Sequence, residues 1–190
     1  MGLRLPLLAA VSSFVVGCGF FVEPTPDVDN PKQASAGGVE VKYPGNWKTS
    51  FESETIEGVE FSSLTIESSG NAIAVVQVFE PSVPLGAEEV FTTYMEGVTE
   101  ASKTEMGGLV DVGTQTATTV FSHDLFGQSV EGRTATYQLS MLGETVPHRI
   151  QTLHSTTDER TVVVVAQAPA EDWAKAEPGF ELVYGSMAVN

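Results

Sequence analysis

Three histidines, one cysteine and 25 acidic residues against 9 basic ones are what this 190-residue chain offers a reaction or a metal ion. His123-Asp124 comes nearest to a catalytic dyad. Adjacent residues on a strand point to opposite faces, so the two side chains need a turn within Phe121 to Gly127 to meet. A nucleophile must also be oriented on the imidazole, and no Gly-x-Ser-x-Gly elbow occurs in the chain. The expectation there is a polar loop between strands. His148 and His154 fall an even number of residues apart. One strand would therefore set both on one face about 20 Å apart, too far to share an ion. Zinc needs three or four ligands at about 2.0–2.3 Å, and no spacing here demands such a set, although His148 is free to meet His123 or an acid across strands. Glu52, Glu54, Glu57 and Glu60 form the densest acidic run of the folded part. Two functional readings are a calcium loop and a docking surface. The run lacks the regular oxygen spacing and turn glycine of a calcium loop, and a solvated edge or loop is expected, since charge also blunts a sheet edge. Tyr43, Trp47 and Trp173 are of the type that lines ligand pockets. Large aromatics more often pack a core, and Trp47, next to a turn, reads as a plug at the end of a sheet. These residues predict no catalytic set, no metal site and no cofactor.

The single cysteine has a different explanation. Arg4 gives a short basic start, Leu5 to Val16 is apolar apart from Ser12 and Ser13, and the small Gly17 precedes Cys18. That layout is a secretory signal, and its apolar run is too short to span a bilayer. Val15-Val16-Gly17-Cys18 resembles the lipobox of bacterial lipoproteins. The resemblance implies cleavage between Gly17 and Cys18, a lipid on the Cys18 thiol, and palmitate-type acylation of the new N-terminus. Two or more acyl chains hold firmly where one holds marginally. Phe20 and Phe21 follow and suit the interfacial zone. Gly19 stands where Asp resembles an inner-membrane retention signal, which favours the outer membrane or cell surface.

Charge narrows the partners. The net charge is −16, and removal of residues 1–17, whose only charged side chain is Arg4, leaves −17. Nucleic-acid binding needs clustered cations, and the potential has the wrong sign for docking on anionic lipid. Membrane affinity must come from the anchor.

The elements that would hold any site follow from pattern. Residues 18–38 contain the lipidated cysteine and a Pro/Gly-rich stretch without apolar periodicity, which predicts a solvated tether. The domain is expected over residues 39–190. Val39, Val41 and Tyr43 alternate with polar residues as in a half-buried strand. Pro44-Gly45-Asn46 makes a turn. Phe61 to Ile66 and Ala72 to Phe79 read as a hairpin. Ala87, Val90, Phe91, Tyr94, Val98 and Ala101 recur at helical spacing. Strands return at Thr114 to Val120, Ala135 to Met141, Arg149 to His154 and Arg160 to Gln167. Two short helices are expected at the end, separated at Pro178 in a first helical position. The fold class is α+β, an antiparallel sheet flanked by helices.

Tyr43-Pro44-Gly45-Asn46-Trp47 resembles the opening motif of PsbP-like domains. The resemblance continues through the central helix, the strand ending in Met141, the valine strand at 162–165 and Pro178-Gly179-Phe180 before the last helix. Bacterial lipoproteins of the DcrB and LpqN types are similar in layout. The resemblance implies an α/β/α sandwich and an accessory, binding or assembly role, and it carries no site residues over. The resulting expectation is an envelope lipoprotein that is not an enzyme, binds a partner protein or assists assembly, and contacts the membrane through Cys18. The alternative is a small-ligand carrier with a pocket between sheet and helix.

Overall fold

The computed structural model describes residues 23–104, 110–141 and 144–189. The expectations placed on Gly17, Cys18, Phe20 and Phe21 lie outside the described residues.

Eleven strands and two helices are present among the described residues: β1 (Lys32–Ala36), β2 (Val39–Tyr43), β3 (Lys48–Ile56), β4 (Val59–Glu67), β5 (Ile73–Glu80), α1 (Ala87–Thr104), β6 (Val110–Gln115), β7 (Thr119–Leu125), β8 (Gln128–Met141), β9 (Glu144–Thr156), β10 (Thr161–Pro169), α2 (Trp173–Gly185) and β11 (Ala188–Val189). An antiparallel sheet runs β3-β4-β5-β10-β9-β8-β6, with β7 pairing the first half of β8. A small sheet, β1-β2-β11, lies apart from it. The valines of β10 pair on both sides, with β5 and with β9. A central strand covered on two faces reads as a continuous apolar run, and every residue of β10 is buried.

Alternation splits the core in two. Ile73, Val75, Phe79, Val163, Val165, Ile150 and Tyr137 pack with Val90, Phe91, Tyr94 and Val98 of α1. Ala74, Val76, Val78, Val162, Val164 and Ala166 face the other way, against Phe180, Val183 and Tyr184 of α2 and Val39 and Val41 of the small sheet. The fold is therefore mainly antiparallel sheet, with one helix against each core. The acidic first turn of α1 (Glu88, Glu89) and Lys103 in its last turn complement the helix dipole.

Four expectations are corrected. Residues 23–38 are not a free tether. Gly37 and Gly38, at φ 50 and 70, form a two-residue hairpin turn, which pairs β1 with β2 from Lys32↔Tyr43 to Ala36↔Val39. A Gly-Gly step ahead of an alternating run was the available signal. The domain thus includes residues before 39. Second, the expected strand at 114–120 is two strands, because β8 pairs with β6 at one end and β7 at the other. Third, residues 121–125 are strand rather than loop, and the turn falls at Phe126-Gly127, φ 54 and 73. Fourth, Pro178 lies inside one continuous helix, α2, instead of starting a new one.

Candidate functional site

The residues of the Tyr43–Trp47 motif work as a clasp. Asn46 accepts from the Asp27 backbone N–H at 2.8 Å and donates to the Thr25 carbonyl at 2.9 Å. The Gly45 N–H donates to the Asp27 carbonyl at 2.9 Å. A Cβ at Gly45 would collide with the Asn30 carbonyl, so only glycine lets that chain run so close. Trp47 is 1% exposed and meets Phe180 edge to face at 5.6 Å. Its ring lies where a Cβ on Gly179 would fall. The opening motif and Pro178-Gly179-Phe180, far apart in sequence, are thus in direct contact. Tyr43, Trp47 and Trp173 belong to the α2-side core, with Arg149 stacked over Trp173 at 4.4 Å.

The clasp fixes residues 25–30, and a second grip fixes Glu23. Its Oε2 accepts from the backbone N–H of Asn71 at 2.7 Å and of Ala72 at 3.1 Å, and the residue is fully buried. Gly70 has no room for a Cβ beside that carboxylate. Glu23, the first described residue, is therefore held at a defined point, the β4–β5 turn.

His123 and Asp124 do not form a dyad. Both lie on β7, and the His123 ring bonds the Asp124 backbone carbonyl at 3.1 Å, not its carboxylate. His123 Nε2 instead meets Glu181 of α2 at 2.7 Å, with the Tyr184 ring at 5.0 Å. Partial burial opposes its charge, but the Glu181 hydrogen bond, the Asp124 carbonyl and the two nearby carboxylates outweigh it and hold its pKa above the ordinary value. The pair ties the edge strand to α2.

His148 and His154 share β9 and the face toward α1. Neither meets His123. His148 is buried beside Gln167, at 3.3 Å, and the Tyr137 ring, at 5.9 Å. Burial pulls its pKa down to about 4, so it is neutral near pH 7. Burial also lowers His154, against a hydrogen bond with the Leu85 backbone. Among the described residues no group of three His, Cys, Asp or Glu is placed to hold a metal ion.

Composition gave no sign of the polar content on this same face. Ser63 lies directly across from Gln77 on β4–β5, and Gln167 lies on β10. Ser63 Oγ, both amide atoms of Gln77 and His154 Nδ1 are buried without a hydrogen-bond partner in the protein, while Tyr137 and Gln167 interact through their side chains. Buried polar atoms are normally paired, and each one left unpaired costs on the order of 1–3 kcal/mol. The signal was available: Gln77 interrupts the apolar run of β5, and Gln167 that of β10. Apart from this row, at the far side of the sheet, a cleft of about 470 Å³ opens between α1 and β6, lined by Phe91, Met95 and Val112 and rimmed by Glu88, Glu96 and Glu100.

No family model matches the chain, and no curated protein does. Solved structures are similar at low identity. The solution structure of cyanobacterial PsbP from Synechocystis sp. PCC 6803 matches over 93% of this chain and 99% of its own, at 15% identity and a TM-score of 0.49. A protein of Bacteroides thetaiotaomicron matches over 80% of this chain and 45% of its own, at 10% identity and a TM-score of 0.46. LpqN of Mycobacterium tuberculosis, described as involved in cell envelope biogenesis, matches over 85% and 90%, at 9% identity and a TM-score of 0.44. The solved structures that the chain is similar to thus include a cyanobacterial PsbP and LpqN.

Proposed function

We propose that this chain is a lipid-anchored envelope module that binds or helps assemble protein partners and performs no catalysis. The observation that carries the reading is the grip on Glu23. It stands five residues after Cys18, and a chain of that length reaches at most about 18 Å. A lipid on Cys18 would then hold the β4–β5 turn near the bilayer and present the opposite end of the sheet outward. A loose tether would leave the orientation random; a short leash sets it. Signal cleavage at Gly17-Cys18, palmitate-type acylation and an outer-membrane or surface location complete the proposal. The helix on each face fits a PsbP-like α/β/α sandwich. No described helix is long and apolar enough to cross a membrane, so the anchor supplies the membrane affinity in this reading.

Fractionation tests it. The natural chain is expected in the membrane fraction with incorporated palmitate label, and Cys18→Ala is expected to appear soluble or as unprocessed precursor. Mature-sized Cys18→Ala protein that stays with membranes refutes the anchor.

A second reading, a small-ligand carrier, is favoured by the α1–β6 cleft, which lies between helix and sheet. It expects a small molecule retained in the native mass spectrum of the purified chain and lost in Val112→Trp, which fills the cleft. A bare native mass for the natural chain sinks it.

A further inference from the structure

We infer that the outer edge of β3 is a docking site for an extended, basic segment of a partner protein, added as a further strand to the sheet. The inference rests on the reading of the chain as a binding module and names the surface that does the binding.

Among the described residues β3 pairs with β4 alone. It is nine residues long, and all but half-buried Ile56 are exposed. The opposite edge is interrupted between β6 and β7 by residues 116–118, whereas β3 is continuous. The hairpin fixes which backbone groups are unused. Glu57 and Gly58, at φ 51 and 87, form a two-residue turn closed by Ile56↔Val59. In such a hairpin the closing pair exchanges hydrogen bonds, and bonding alternates from there. Ile56, Glu54, Glu52 and Ser50 therefore bond inward to β4. The N–H and C=O groups of Thr55, Ser53, Phe51 and Thr49 point outward, a ready template for another strand.

Charge selects the occupant. Glu52 and Glu54 share one face of β3, about 7 Å apart, and no described residue forms an ion pair with either. From Thr49 to Ser102 the sequence holds ten glutamates and no Lys, Arg or His. Arg133 and Arg160 reach in, to Glu88 and Glu80. A second copy of the chain is disfavoured. The antiparallel register of full overlap, centred on Glu52, sets Glu52 against itself, and the one centred on Ser53 sets it against Glu54. Like charges directly opposite destabilise a sheet, and the shorter register centred on Phe51 avoids this. A strand with Lys or Arg at two alternate positions meets both glutamates. An apolar residue on its other face meets Phe51, which is 53% exposed. With the Glu23 end held near the membrane, the hairpin tip lies about 30 Å away along β4, clear of anionic lipid.

The test is binding of a fluorescent nine-residue peptide, Lys at every second position with Val or Thr between, to the full-length chain. We expect saturable one-to-one binding that weakens with salt. A peptide of the same composition with its lysines grouped at one end should bind at least tenfold more weakly. Ser53→Pro removes one outward N–H and no inward bond, a position that tolerates proline, and should weaken binding at least tenfold with the far-UV spectrum unchanged. The double variant Glu52→Gln, Glu54→Gln, which leaves the backbone alone, should weaken it similarly and flatten the salt dependence. Equal binding of the grouped peptide, or undiminished binding by either variant, overturns the inference. So does a natural chain that sediments as a dimer and becomes monomeric on Ser53→Pro, since the occupant is then a second copy. Membrane fractionation reads the anchor separately: a failed anchor leaves peptide binding unchanged, and a failed edge leaves fractionation unchanged.

Discussion

The two faces of the large sheet are built from the same strands and differ in what they bury. Toward α2 the strands present Ala74, Val76, Val78, Val162, Val164 and Ala166. This face is closed twice, by α2 and by the small sheet. The unpaired polar atoms there include the tips of packing rings, Trp47 Nε1 and Tyr184 Oη. Toward α1 the central strands present Ser63, Gln77, Gln167, His148 and His154 among the hydrocarbon. One helix covers that face, with a cleft along its border. Hydrocarbon closed on both sides is what stability alone asks for. Unpaired amides in the centre of a sheet cost stability, and such costs are retained where a site uses them. The α2 face packs as hydrocarbon, and the α1 face carries the buried polar groups.

Three substitutions sharpen or break that contrast. The largest effect is expected on the α2 face. Trp47→Ala should cost about 3–5 kcal/mol, read as a lowered denaturation midpoint with the slope unchanged. It empties the contact with Phe180 and Gly179 that joins the clasp to α2. A loss under about 1 kcal/mol, far below the usual cost of emptying a buried tryptophan site, would mean the α2 face is not the rigid one.

Next comes acid sensitivity from the α1 face. His148 has a folded pKa of about 4 against an unfolded value of about 6.5. Between those values the unfolded chain binds the proton and the folded chain does not. Stability therefore falls as pH drops from about 6.5 toward 4, by about 3 kcal/mol at most. His148→Gln should remove that component of the pH dependence, measured as unfolding midpoints at pH 4.5 and 7. An unchanged pH profile would show that His148 is not buried as placed.

The smallest effect has the most informative sign. Gln77→Met replaces two unpaired amide atoms with hydrocarbon of similar volume and should stabilise the ligand-free chain by about 1–2 kcal/mol. Destabilisation would mean internal water satisfies the amide, and the contrast between the faces would shrink.

Much of the frame was legible because it depends on local period. The α1 stripe, the alternation of Val39 to Tyr43 and the valine run of β10 each specify an element without help from distant residues. The failures were of two kinds. β1 and β3 lack apolar alternation; they are strands because a neighbour supplies their hydrogen bonds, from Val39–Tyr43 in one case and Val59–Glu67 in the other. Pro178 reads locally as a helix start, yet the packing of Phe180, Val183 and Tyr184 under the small sheet holds one helix through it.

By itself the sequence determined the antiparallel α+β plan, the helical stripe, and a strongly acidic net charge. Those follow from composition and from spacings of a few residues. Only the tertiary structure decided that the Tyr43–Trp47 motif is a clasp for residues 25–30, that Glu23 is gripped by the β4–β5 turn, that His123 belongs with Glu181 and not Asp124, and that Gln77, Gln167 and His148 share one buried face. Each joins residues about twenty or more apart along the chain. Such contacts form only when register and strand order place the side chains together, and no local pattern records which strands will be neighbours.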